Sequence, residues 1–218
     1  MSTTISDQVH EMRSSRPSKA PNEPMDPFEA EQEALEAQGI PDGVIAAGST
    51  LSDAKLLDPQ GELISLYSAL GEGQAVVVFY RGAWCPYCNI ALRTYQSELL
   101  PILEARGVAL VAISPQNPDG SLSIKEKHEL SFAVLSDPGN QVAREVGILT
   151  SPSPGALAAQ LSHGLDLTKV NADGTATLPM PTTLIVDRDR TVRWVDVHPD
   201  YTTRSEPEEI LAALASLR

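Results

Sequence analysis

The sequence predicts an α/β domain built on a mixed central sheet with helices on both faces. Three observations carry this expectation. Ala75–Tyr80 (AVVVFY) and Val108–Ile113 are short, continuous apolar runs rich in β-branched residues, the pattern of strands buried on both sides of a sheet. Helical segments alternate with these runs, so the order from Ala75 is β-α-β-α-β-α, which calls for parallel crossovers. The order then ends β-β-α: Thr182–Val186 and Val192–Val197 flank the mixed-charge turn Asp187-Arg188-Asp189-Arg190-Thr191 and form an antiparallel hairpin.

The remaining elements follow along the chain. Met1 to Pro27 carries Ser, Thr, Pro and scattered charge, and reads as a mobile tail. The run PFEAEQEALEAQ, Pro27 to Gln38, reads as a short acidic helix with Phe28 and Leu35 as anchors. The tail and this helix, residues 1–38, are set apart from a main domain, residues 39–218. Leu56-Leu57 and Leu63–Leu66, with Asp58-Pro59-Gln60-Gly61 between them, form an opening β-hairpin. A long helix is expected from Pro86 to Ala105, burying Ile90, Tyr95, Leu99 and Ile102 and stopped by Gly107. Helices near Leu122–Leu130 and Asn140–Val146 flank a short strand at Ala133–Leu135. From Leu149 to Pro181 lies a less regular insertion with a short helix near Ala156–Ser162. Ser205-Glu206-Pro207-Glu208 reads as a capping box opening a final helix to about Leu217.

Composition narrows the function. Of 218 residues, 42% are hydrophobic, enough for a core, and 29 acids against 16 bases leave a net charge of −13. Such a chain repels phosphate backbones and anionic lipid, so neither nucleic acid nor a membrane is an expected partner. No apolar run approaches the roughly 20 residues that span a bilayer, and Met1–Ser18 has no apolar leader segment, so the cytoplasm is the expected location. Two cysteines are too few for a disulfide framework.

Both cysteines stand in Arg81-Gly82-Ala83-Trp84-Cys85-Pro86-Tyr87-Cys88, a C-x-x-C spacing just after a buried strand and at the first turn of a helix. Unpaired N–H groups and the helix dipole put positive potential there, which favours a thiolate. Pro86 suits the first helical position, because its missing N–H has no partner there anyway. On these residues Cys85 precedes the helix, faces solvent and attacks, and Cys88, nearly one turn on, resolves. Trp84 offers a flat wall beside the sulfur. Two other readings exist: half of a zinc site completed by some of His10, His128, His163 and His198, or inert core cysteines. Met180-Pro181-Thr182 opens a later strand, in the kind of tight turn where cis X-Pro bonds occur. Next to the strand ending at Tyr80, Pro181 would face the cysteines, and the backbone before it could hold an extended thiol substrate.

These motifs resemble the thioredoxin fold, with the CPYC tetrad seen in glutaredoxins. The wider order LLDPQGELISL, VVVFYRGAWCPYC, ALVAISPQ, FAVLSDPGNQVAREVGI and TTLIVDRDRTVRW resembles the peroxiredoxin group, the alkyl hydroperoxide reductase and thiol-specific antioxidant family, over about 170 residues. The resemblance implies a thioredoxin-like domain and a thiol peroxidase without a cofactor. Its Cys85/Cys88 cycle would reduce hydrogen peroxide or organic hydroperoxides, with a thioredoxin-like protein or a low-molecular-weight thiol as reductant, and a homodimer as a frequent assembly. Laying the family's P-x-x-x-T/S-x-x-C over the chain puts the attacking cysteine at Cys88, with Cys85 at the hydroxyl position and Arg81 at the proline. The family's arginine falls near Pro181 and is missing; Arg81 or Arg93 would have to supply the cation. The acid that thioredoxins carry before the first cysteine is Phe79 here. Alternatives of the same chemistry and of another class are a thioredoxin- or glutaredoxin-like disulfide reductase and a non-catalytic, redox-responsive binding protein. Candidate site residues are Cys85 and Cys88 for catalysis, with Arg81, Trp84, Pro86, Tyr87, Met180, Pro181 and Thr182 for substrate.

Overall fold

A computed structural model describes residues 3–15 and 25–217. Strands β1 (Lys55–Leu57), β2 (Leu63–Ser65), β3 (Ala75–Phe79), β4 (Ala109–Ser114), β5 (Ala133–Ser136), β8 (Thr182–Val186) and β9 (Val192–Val197) form one sheet in the order β2-β1-β5-β4-β3-β8-β9. β3, β4 and β5 run parallel, whereas β8 pairs antiparallel with both β3 and β9. This is the mixed sheet that the element order requires. Every residue of β3 and β8 is buried, which explains why both sequences are unbroken apolar or β-branched runs rather than alternating ones. The opening hairpin β1–β2 joins the sheet's edge through Leu57 opposite Ser136.

The helices cover both faces and the ends. They are α1 (Ile5–Ser14), α2 (Pro27–Gln38), α3 (Leu66–Leu70), α4 (Pro86–Thr94), α5 (Leu100–Ala105), α6 (Pro118–Lys127), α7 (Gln141–Val146), α8 (Pro154–Ser162), α9 (Leu167–Val170) and α10 (Pro207–Ser216). The insertion holds α8, α9 and the two-stranded pair β6 (Leu149–Thr150) and β7 (Leu178–Pro179). None of these helices is long and apolar enough to cross a membrane.

Three expectations need correction. The first concerns the amino terminus. Residues 5–14, expected within a mobile tail, are helical: Thr4 and Asp7 form a capping box, and Ile5 and Val9 are buried against the body. The Glu206 carboxylate accepts the Ile5 and Ser6 N–H groups at 2.9 and 2.8 Å, filling two orphan donors of α1. Residues 16–24 of the expected tail lie outside the described residues. Helix α2 has the expected bounds and docks on the body.

The second correction concerns the long helix. It is interrupted by a π turn at Tyr95–Leu99 just before Pro101, which has no N–H to donate and crowds the preceding turn. The extra residue rotates the following turn. Leu103 therefore enters the core, and Ile102, expected inside, is 37% exposed. Third, the last helix is capped one residue later than expected, by Glu206 with Glu209, and all the peptide bonds described are trans, including the one before Pro181.

Gly147, which ends α7, has φ +79°, and a Cβ there would lie 2.1 Å from the Gly43 carbonyl oxygen. Both backbone strain and a clash with main chain oppose a side chain. Gly147→Ala is expected to cost about 2–4 kcal/mol, read as a lower denaturant midpoint with little change in slope. An unchanged midpoint would mean that the chain relaxes freely there.

Candidate active site

The site is assembled where β3 ends. Tyr80 continues the strand's buried line, and the chain then turns through Gly82. That glycine has φ +151°, and a Cβ would fall 2.4 Å from Trp84 Nε1, so the close seating of Trp84 requires glycine. Gln116, from the end of β4, braces the turn. Its Oε1 accepts the Ala83 N–H at 2.8 Å, and its Nε2 donates to the Tyr80 hydroxyl at 3.0 Å. The Tyr80 phenol is pushed up to about 12, chiefly by burial, and stays neutral. Cys85 is the N-cap of α4 and Pro86, exposed, is its first residue, so Cys88 sits in the first turn as the sequence requires.

The two sulfurs differ from expectation. Cys85 is 1% exposed and Cys88 0%. The loop between β9 and α10 closes over the junction and brings Arg204, itself buried, against them: its Nη2 donates to Cys88 Sγ at 2.9 Å. Burial opposes a charge on Cys88. The hydrogen bond from the Cys85 thiol, the Arg204 charge and the Arg81 main-chain N–H outweigh it and hold Cys88 well below the ordinary thiol range. Cys85 goes the other way. Burial pushes it up, and donation to the charged Cys88 reinforces this more than Arg204 and Arg81 reverse it. These causes favour the anion on Cys88 and the proton on Cys85. The expectation of Cys85 as the exposed low-pKa thiol is overturned, because the cation arrives from a distant loop and reaches the second sulfur.

Arg204 also answers the missing family arginine. Its Nη1 donates to the Tyr201 carbonyl at 2.8 Å and to the Thr203 carbonyl, so the guanidinium is held on three sides. Its loop is pinned by a polar cluster: Ser205 Oγ donates to Asp196 at 2.7 Å, His198 lies 2.9 Å from the same carboxylate, and the Tyr95 hydroxyl donates to the Ser205 carbonyl at 2.7 Å. The hydrogen bond to His198 holds the Asp196 carboxyl below its usual range. Where α1 meets this loop there is a cavity of about 670 Å³, with Arg13, His198 and Arg204 among its walls. Arg93, the other candidate cation, is spent on Gln8 of α1.

Arg81 lies on the opposite side. Its guanidinium is 4.0 Å from the centroid of the Tyr201 ring and 5.3 Å from that of Trp84. Tyr87 is buried, its ring 6.4 Å from that of Tyr201. Met180 and Pro181 come to Arg81 and Tyr201 in a small cavity of about 10 Å³. The register of β3 with β8 places Thr182 opposite Phe79, as the strand order required. Yet the backbone before Thr182 is not free to hold an extended substrate. Met180 N–H donates to the Ile148 carbonyl at 2.7 Å, the Met180 carbonyl accepts the Thr182 hydroxyl at 3.0 Å, and the Pro181 carbonyl accepts the His198 N–H at 2.9 Å. Ile148, Thr182 itself and the loop after β9 have taken those groups.

Of the candidate residues, the structure thus gathers Cys85, Cys88, Arg81, Trp84 and Tyr87, sets Met180 and Pro181 beside Arg81, and leaves Thr182 opposite Phe79. Sequence reasoning missed Arg204, Gln116, Tyr201 and Glu31. Arg204 is separated from Cys88 by 116 positions and carries no local signature.

The chain is similar to known proteins. Over 107 residues the chain is 33% identical to the putative peroxiredoxin bcp of Haemophilus influenzae, covering 48% of this chain and 66% of that one. Over 110 residues it is 30% identical to the thiol-disulfide oxidoreductase ResA of Geobacillus thermodenitrificans, covering 50% of this chain and 62% of that one. The chain so spans just under two thirds of either relative. The crystal structure of peroxidoxin BcpB from Mycobacterium tuberculosis superposes with a TM-score of 0.61 at 22% identity, over 80% of this chain and 99% of that one, which gives the sheet its thioredoxin-like assignment. Residues 47–195 match the AhpC/TSA family as a whole, a stretch that holds the cysteine pair and six of the seven main-sheet strands together with most of β9; the chain belongs to the AhpC/TSA family.

Proposed function

We propose that the chain is a thiol peroxidase in which Cys88 attacks and Cys85 resolves. The observation that carries this reading is the buried Arg204 guanidinium 2.9 Å from Cys88 Sγ. The Cys88 thiolate attacks the terminal oxygen of a hydroperoxide and the O–O bond breaks; that oxygen stays on sulfur as the Cys88 sulfenic acid, and the departing alkoxide or hydroxide takes one proton to become the alcohol or water. The Cys85 thiol then condenses with the sulfenic acid, forming the disulfide and releasing water. An external reductant, either a thioredoxin-like dithiol protein or two molecules of a low-molecular-weight thiol, returns both sulfurs to the reduced state by exchange and is itself oxidised to a disulfide. Arg204 stabilises the attacking anion through the hydrogen bond from its Nη2 to Cys88 Sγ. The bcp-type relative supports the oxidant class.

The ResA-type relative supports a second reading, disulfide reduction by the same pair. Two observations favour a small oxidant over it: both sulfurs are buried, and the backbone at Met180–Pro181 is spent on internal hydrogen bonds.

Consumption of hydrogen peroxide, an organic hydroperoxide and a small disulfide, each with a thiol reductant, separates the readings. Hydrogen peroxide is expected to be at least about tenfold faster than the disulfide. The reactive species is the thiolate, and Cys88 is held low, so the single-turnover rate should be flat across neutral pH and fall only in acid. A rate climbing about tenfold per pH unit from 7 to 9 would contradict this assignment.

A further inference from the structure

Helix α2 lies outside the family-matched segment, yet it sends a buried carboxylate to the thiol site. Glu31 is 5% exposed. Its Oε1 accepts the Ser153 N–H at 2.7 Å, at the start of α8. Its Oε2 has no hydrogen-bond partner among the described residues and lies 3.9 Å from Arg81 Nη2, both side chains being almost wholly buried. A carboxylate at such a place is costly unless a cation balances it, and Arg81 is the cation at hand. Two more bonds from α2 hold the same region: the Tyr201 hydroxyl donates to the Phe28 carbonyl at 2.9 Å, and Gln32 donates to Asp200. Tyr201 is the ring on which Arg81 rests and the carbonyl that Arg204 grips.

We propose that Glu31 is a positioning residue of the thiol site: it anchors and neutralises Arg81, so that helix α2 limits the positive charge felt by the Cys88 thiolate to that of Arg204. The inference rests on the reading of Cys88 as the nucleophile. Arg81 holds Cys88 through its main-chain N–H, and its side-chain charge acts on the neighbouring Cys85. With Glu31 in place that charge is paired. Arg204 has no carboxylate among its hydrogen-bond acceptors and keeps its charge for the sulfur. The purpose follows from thiol chemistry: a thiolate that is over-stabilised is more abundant but less nucleophilic.

The groups that face the pair are few. Cys85, Arg204, Arg81 and Tyr80 surround Cys88, Tyr201 and Glu31 surround the Arg81 head, and Tyr95, Asp196 and Glu206 stand behind Arg204. All three tyrosines are pushed to or above about 12, chiefly by burial, and do not titrate in the working range.

The test is the pH dependence of Cys88 alkylation by iodoacetamide in the full-length Cys85→Ser protein, with and without Glu31→Gln. The amide keeps the acceptor for Ser153 and removes the charge. The alkylation midpoint is expected to move toward acid by roughly half a pH unit, as for a cation freed of its counter-ion near a titrating group. Glu31→Asp, which keeps the charge, should stay near the parent, and so should Glu33→Gln on the exposed face of the same helix. If Glu31→Gln gives no folded protein, Glu31→Met removes the charge at similar volume and is titrated instead. No shift on charge removal, or an equal shift in Glu31→Asp, overturns the proposal. An ordinary thiol midpoint in the Cys85→Ser parent would instead overturn the reading of Cys88, before Glu31 is at issue.

Discussion

Cys88→Ser is expected to lower peroxide turnover by at least about a thousandfold, while Cys85→Ser keeps the first chemical step. The argument is one of charge. Cys88 is the sulfur that receives the Cys85 S–H, the Arg81 N–H and the Arg204 guanidinium, which is why its thiolate is the proposed attacking species. Serine at 88 has no anion to offer near neutral pH. Serine at 85 still donates a hydrogen bond to Cys88 but cannot resolve it, so the sulfenic acid persists. Mass spectrometry with a dimedone-type trap after one equivalent of hydrogen peroxide should label Cys85→Ser at Cys88 and leave Cys88→Ser unlabelled. The opposite labelling would restore Cys85 as the first nucleophile, the order that the local helix-terminus argument favours.

Arg204→Met should slow the same step by about a hundredfold at neutral pH. An opposite charge in contact moves a titrating group by about 1–3 pKa units, and here the group is buried with its cation. Methionine fills similar space but leaves the thiolate without a counter-charge, so Cys88 returns toward its neutral form. The rate should then rise with pH over the range in which the parent is flat, and recover partly in alkali. Arg204→Lys should restore only part of the loss. One ammonium cannot reach Cys88 Sγ and the Tyr201 and Thr203 carbonyls in the planar fork that arginine offers. Stopped-flow reaction with hydrogen peroxide across pH 5–10 reads both variants. A pH profile in Arg204→Met matching the parent's would show that the helix terminus alone holds the anion.

Much of the fold was legible because its signals are local. Unbroken apolar runs marked β3 and β4, the Asp187–Thr191 turn marked the β8–β9 hairpin, and Pro86 marked the start of α4. The misses have local causes too. The Thr4–Asp7 capping box and the i, i+4 pair Ile5 and Val9 announce α1, but the surrounding Ser, Pro and charge hid them. Pro101 announces a disturbance in the long helix; that it takes the form of a π turn which brings in Leu103 instead of Ile102 depends on the core beneath.

The chain by itself determined where two sulfurs meet: a C-x-x-C at the end of a buried strand and the mouth of a helix, a placement set by neighbours in sequence. Only the tertiary structure decided which sulfur carries the charge, because burial and charge at a point depend on whatever is packed there. Arg204 comes from beyond the last strand, Glu31 from an amino-terminal helix, and Gln116 from a neighbouring strand's end. Electrostatic interaction falls with distance in space and is indifferent to separation along the chain, so the local helix-terminus argument could not assign the charge, although the family motif laid over the same eight residues does put the attack at Cys88.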